Sequence, residues 1–234
     1  MEYCDRGFCR EKRKGVLSLR VKFIKNTFQY LEDCDYVLLK YTERKLVKIG
    51  RFSDIDLILT SSCEDNILKF IKNSSDVKKY TLSNHSFMKI IYVVFNDESF
   101  LELDLINTFV RKHVVYLDKE LLLRNYYINE EGVRLPEITF GFLYIFLFYI
   151  LNKSDVDPKY RSYYLSLQLH EQEKIINFIK KRYDLPDNNI AELCRFDSQK
   201  LSLIKKYNSK DNLLHMRIKN LSMYIYNIFA NIKK

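Results

Sequence analysis

The stretch Gly50-Arg51-Phe52-Ser53-Asp54-Ile55-Asp56-Leu57-Ile58-Leu59 decides how this chain is read. Side chains leave an extended strand on alternate faces. Asp54 and Asp56 therefore share one face, while Ile55, Leu57 and Leu59 point into a core. Two carboxylates held together at the end of an apolar strand repel each other, and a divalent cation between them relieves the repulsion. The pattern is that of a metal-bearing strand in phosphoryl- or nucleotidyl-transfer chemistry.

A two-metal site needs a further acid. Phe100-Leu101-Glu102-Leu103-Asp104-Leu105-Ile106 offers Glu102 and Asp104 on one strand face, with Leu101, Leu103 and Leu105 on the other. If this strand lies beside the first, three carboxylates converge at one place in the sheet. The alternative is a pair of ordinary amphipathic strands with their polar sides out.

The rest of the chain supplies the frame. Leu17, Val21, Ile24, Phe28 and Leu31 recur at helical spacing and predict a helix over 15–32. Tyr36 to Lys40 reads as a short strand, and Asp65 as the cap of a helix running to Asn73. Met88 to Phe95 and Phe100 to Ile106, separated by Asn96-Asp97-Glu98-Ser99, predict a hairpin. Beyond residue 113 the pattern reads as helical. A helix starts after Asp118, Pro136 suits the first turn of a long apolar helix over 138–151, and Pro158 opens another to about Tyr183. Two more helices are expected near 197–207 and 211–232. The fold class is α+β: a mixed sheet with flanking helices in residues 1–115, followed by an all-helical domain in 116–234.

Composition bounds the partners. The 234 residues are 47% hydrophobic and 29% charged, the balance of a folded globular chain. The apolar run from Ile138 to Leu151 falls short of the roughly 18 residues of a membrane span and reads as a helix buried on all sides. The net charge of +9 reads first as solubility in a Lys-rich chain, and otherwise as a sign of a polyanionic partner, a nucleoside triphosphate, nucleic acid or an acidic membrane surface, of which the triphosphate is favoured. Basic residues at Arg6, Arg10, Lys12, Arg13, Lys14, Arg20 and Lys22 read as a solvated terminus. The five cysteines, at 4, 9, 34, 63 and 194, form no Cys-x-x-Cys pair, which disfavours zinc and suits reduced thiols in a cytoplasmic protein. The four histidines lack metal-pair spacing, and no phosphate-binding Gly-x-x-x-x-Gly-Lys motif or Gly-x-Ser-x-Gly elbow occurs.

On Asp54-Ile55-Asp56-Leu57-Ile58 and Leu103-Asp104-Leu105-Ile106 the chain resembles the polymerase-beta-type nucleotidyltransferase superfamily. More narrowly, it resembles nucleotidyltransferase-like proteins of bacterial surface-polysaccharide gene clusters, which share a Tyr-Val-Leu-Leu strand, the Asp-Ile-Asp strand, a Tyr-Leu like Tyr116-Leu117 and a Lys-Tyr like Lys159-Tyr160. The likeness covers roughly residues 30 to 165. It implies a nucleotidyltransferase-like sheet and transfer of a nucleoside monophosphate from a nucleoside triphosphate, ATP or CTP, to a hydroxyl acceptor. Asp54, Asp56 and Asp104 would hold Mg²⁺ or Mn²⁺, and Asp104 would take the acceptor proton. The family's Gly-Ser pair is replaced by Leu38-Leu39-Lys40-Tyr41-Thr42-Glu43. Thr42 stands where the family's Ser would bind phosphate; Ser53, Lys40 and Lys159 would be further phosphate contacts, the other readings being a structural residue for Ser53, a solvated loop for Lys40 and an exposed surface position for Lys159. Arg44, Lys45 and Lys48 share the two readings of Lys40, and Arg124 and Arg161 are weaker candidates of the same kind as Lys159. Two other readings stay open: a toxin- or resistance-type enzyme acting on transfer RNA or an aminoglycoside, and a binding module that has lost transfer.

Overall fold

The computed structural model describes residues 18–41, 46, 49–50, 53–111, 114–152 and 156–183. Its centre is a five-stranded mixed sheet built from β1 (Tyr36–Leu38), β2 (Ile55–Leu59), β3 (Val77–Asn84), β4 (Met88–Phe95) and β5 (Phe100–Ile106). The order across the sheet is β1-β2-β5-β4-β3. β2 and β5 run parallel, and the other neighbours are antiparallel. A parallel pair needs a crossover. Here it is α2 (Ser61–Asn73) followed by the β3–β4 hairpin, and it brings two strands far apart in sequence side by side.

Each face of the sheet carries its own core. On one face Leu57, Leu103, Leu105, Ile91 and Val93 pack against Phe23, Ile24 and Phe28 of α1 (Leu19–Tyr30) and Ile67 and Ile71 of α2. On the other, Val37, Ile58 and Ile106 pack under α4 (Ile138–Asn152), α5 (Pro158–Ser166) and α6 (Leu169–Tyr183). The hairpin β6–β7 (Phe109–Arg111, Val114–Leu117) and α3 (Lys119–Arg124) feed the chain into that second layer. A second hairpin, β8–β9 (Tyr126–Ile128, Arg134–Pro136), precedes α4, and Gly132 in its turn has φ +77°, a conformation that costs glycine little.

The layout departs from the sequence expectations at several points. The segment after residue 113 is not wholly helical, because β7, β8 and β9 are strands of three or four residues. Pro136 ends β9, and α4 begins two residues later; the Pro136 ring instead packs where a Cβ on Gly141 would sit, 3.2 Å away. α2 begins at Ser61, four residues before Asp65. The helix expected from Pro158 to Tyr183 is two helices, broken at Leu167, whose backbone is extended (ψ 157°). The Glu171 carboxylate accepts from Gln168 N at 2.9 Å and starts the second. β3, Val-Lys-Lys-Tyr-Thr-Leu-Ser-Asn, was not expected at all. Arg20 is not part of a solvated terminus but is buried; Arg6 to Lys14 lie outside the described residues, as do the helices expected near 197–207 and 211–232. Cys34 and Cys63 are buried free thiols. Among the described residues no helix is long and apolar enough to cross a membrane.

Candidate active site

The carboxylates sit where the second helical layer stops. Along β2, Ile58 is fully covered, Asp56 is 4% exposed and Asp54 is exposed. Along β5, Ile106 and Asp104 are buried and Glu102 is half-buried. The acidic face is thus half roofed rather than polar side out, and β2 is buried at all five positions. Tyr144 and Tyr160 form part of the roof; both are buried, and Asp56 adds to burial in holding the proton on each hydroxyl.

Asp56 and Asp104 are partners in the parallel β2–β5 ladder, so both side chains leave the same face side by side. One carboxylate oxygen from each of Asp54, Asp56 and Asp104 lies within 4.8 Å of the others. The electrostatics register this crowding. Burial, offset by Lys40 and reinforced by Asp54, pushes Asp56 up to about 6. Burial, then the charges of Asp56, Glu102 and Asp54, push Asp104 up to about 7. Asp104 Oδ1 is buried and has no hydrogen-bond partner, which is costly for a carboxylate oxygen unless something cationic reaches it. An all-oxygen donor set suits a hard divalent cation; Mg–O distances of about 2.1 Å put neighbouring ligand oxygens about 3 to 4 Å apart. The trio fits such an ion, and Glu102, on the same face but outside the trio, is not needed for it.

Two contacts set the approach to β2. Arg20 of α1 donates from Nη2 to the Ser53 carbonyl at 2.8 Å, which fixes the backbone immediately before Asp54. Ser53 N donates to the Gly50 carbonyl at 3.0 Å. A Cβ on Gly50 would come within 2.8 Å of Ser53 Oγ, so the glycine makes room for that hydroxyl. Gly50, Ser53, Lys40, Lys159 and Tyr160 line a cleft of about 240 Å³ that opens onto Asp54 and Asp56. A glycine and a serine hydroxyl do meet here, but after the loop rather than at Leu38 to Glu43.

The phosphate candidates are distributed unevenly. Lys159, the second residue of α5, is exposed on the rim of the cleft; its Nζ stands 4.8 Å from the Tyr160 ring centroid. Its helix is started by Asp157, whose carboxylate accepts from Lys159 N at 2.9 Å. Ser53 lines the same cleft. Lys40 lines it too, but its ammonium rests on the acids, 2.8 Å from Asp56 Oδ2 and 3.8 Å from Asp54 Oδ2. Arg124 and Arg161 are exposed and do not line the cleft. Thr42, Arg44, Lys45 and Lys48 lie outside the described residues. Gly50 and Phe148, whose ring centroid the Lys40 ammonium approaches to 4.5 Å, have no role in the sequence reading, and Tyr160 enters it only within the Lys159-Tyr160 pair. The Tyr144–Tyr149 run reads only as apolar core, and nothing in it marks Phe148 as a cation platform.

Comparisons of the chain with protein-family models, with curated proteins and with solved structures return no match, so the site stands on its own geometry.

Proposed function

We propose that the chain is a divalent-cation-dependent nucleotidyltransferase of the polymerase-beta type, moving a nucleoside monophosphate from ATP or CTP to a hydroxyl on a small molecule, a sugar or a protein, with surface-polysaccharide assembly as its setting. The observation that carries this reading is the convergence of Asp54, Asp56 and Asp104 from two parallel strands, with one buried Asp104 oxygen left unpartnered. These three side chains would hold Mg²⁺ or Mn²⁺, which when bound supplies the positive charge that a triphosphate and a departing pyrophosphate require. Lys159 and Ser53 face the cleft in which the phosphates would lie, and Thr42 would add a hydroxyl. The acceptor oxygen bonds to the α-phosphorus, the bond to the bridging oxygen breaks and pyrophosphate leaves. The acceptor proton would pass to Asp104.

The test is transfer of label from α-labelled ATP or CTP to an acceptor fraction. Asp56→Asn should lose at least about a hundredfold in rate, in the range of a missing metal ligand or base, while its circular dichroism matches wild type. Undiminished transfer by the folded mutant rejects the assignment.

One observation favours a second reading, a binding module without transfer. The Lys40 ammonium already neutralises Asp56. Calorimetry separates the two, since a module of that kind gives no heat with Mg²⁺ and any nucleotide. The charge of +9 leaves room for transfer RNA as the acceptor within the enzymatic reading. Binding of RNA would then weaken steeply with salt.

A further inference from the structure

Lys40 stands in a backbone conformation that a side-chain-bearing residue seldom takes. Leu39 N donates to the Asp56 carbonyl at 2.8 Å, one residue past the end of β1. Lys40 then turns into the left-handed region, with φ +54°. A residue with a Cβ gives up roughly 1 kcal/mol there, and such positions persist where surrounding contacts hold them. The contacts here are those of the ammonium. It is largely buried, lies 2.8 Å from Asp56 Oδ2 and 3.8 Å from Asp54 Oδ2, and covers the face of Phe148. Two of the three acids in the trio are therefore already served by one monovalent cation, while Asp104 Oδ1 receives nothing.

Resting on the divalent-cation reading of this site, we propose that Lys40 is a resident counter-ion that competes with the divalent cation for the oxygens of Asp54 and Asp56 and must swing out before that cation can be fully coordinated. The ammonium and the ion need the same two carboxylates, and like charges at that separation repel strongly in a partly buried site. The exchange has a driving force, because a divalent ion can also reach Asp104, with which Lys40 forms no ion pair. It also has a path, because Lys40 lines the cleft shared with Ser53 and Lys159. There the released ammonium would face the phosphates. Lys40 thus sets how much free cation the site needs, and couples cation entry to the arrival of a second positive charge in the phosphate cleft.

The experiment titrates the full chain with Mn²⁺ alone, by calorimetry, in wild type, Lys40→Met, Lys40→Gly and Asp56→Asn. Glycine accepts the left-handed backbone and guards against a folding failure of the methionine variant. Lys40→Met and Lys40→Gly should each bind Mn²⁺ about tenfold more tightly than wild type or better, and Asp56→Asn about tenfold more weakly, the scale of removing or adding one close charge. In wild type, acetylation of Lys40 by an amine-reactive ester, followed by peptide mass spectrometry, should speed up several-fold when Mn²⁺ is added. Equal or weaker Mn²⁺ binding by both Lys40 variants, with Asp56→Asn impaired as expected, overturns the role of Lys40 and leaves the metal site intact. Unchanged binding by Asp56→Asn overturns the site, and the role of Lys40 with it.

Discussion

Replacing Asp104 with Asn should make the cation-free protein more stable at pH 8 and leave it nearly unchanged at pH 4.5. The Asp104 carboxyl rises from an ordinary value of 3.8 to about 7 in the fold. The folded chain therefore keeps a proton that the unfolded chain releases near pH 4. Because the folded state binds more protons between about pH 4 and 7, stability falls as pH rises through that window. Each tenfold step in proton affinity is worth about 1.4 kcal/mol. With roughly half of the total screened by solvent at the open side of the site, ionised Asp104 costs the fold on the order of 2 kcal/mol. Asn carries no charge and escapes that cost. For a chain of this size the gain corresponds to about 4 to 8 °C in melting temperature. The assay is thermal unfolding in EDTA at pH 4.5, 6 and 8, followed by circular dichroism. The difference between mutant and wild type should open across the series, and Mn²⁺ at pH 8 should close it by raising wild type. A difference that does not vary with pH, or a mutant less stable at pH 8, refutes the argument from crowding and burial.

Other expectations follow from the same geometry. Lys159→Ala should raise KM for the triphosphate several-fold and leave the melting temperature within about 1 °C, since the side chain is exposed on the cleft rim. Asp157→Ala removes the carboxylate that starts α5. It should cost about 1 kcal/mol in urea unfolding and weaken triphosphate binding in parallel. Leu57→Ala, in a strand covered on both sides and itself 0% exposed, should cost about 2 to 5 kcal/mol by the same measurement.

What the sequence discloses is the part governed by local pattern. The aliphatic runs of β4 and β5 are bounded by turn residues, and both strands begin and end where the pattern places them. The alternation in Asp54 to Leu59 and in Leu101 to Leu105 puts the acids on a common face, and the β2–β5 register then brings them together. What it hides depends on distant contacts. Strands of three or four residues in the two small hairpins are too short to show a period. The break at Leu167 has neither glycine nor proline to announce it. The roof of Tyr144 and Tyr160 over the acids belongs to helices that begin at Ile138 and Pro158, far along the chain from β2, which ends at Leu59. The posture of Lys40 turns on a left-handed φ that no neighbouring residue type dictates.

Among the described residues β3 closes one end of the sheet order, with Lys78 and Lys79 side by side, and its pairing with β4 slips between Val77 and Lys79. An added strand from another molecule would have to lie flat along a margin that is bulged and carries two ammonium groups, one of them engaged with Glu98. Margins of that kind deter strand-by-strand self-association. Neutralising both lysines should therefore turn a well-behaved solution into one that clouds on standing at high concentration, with no change in the fold of the individual molecule.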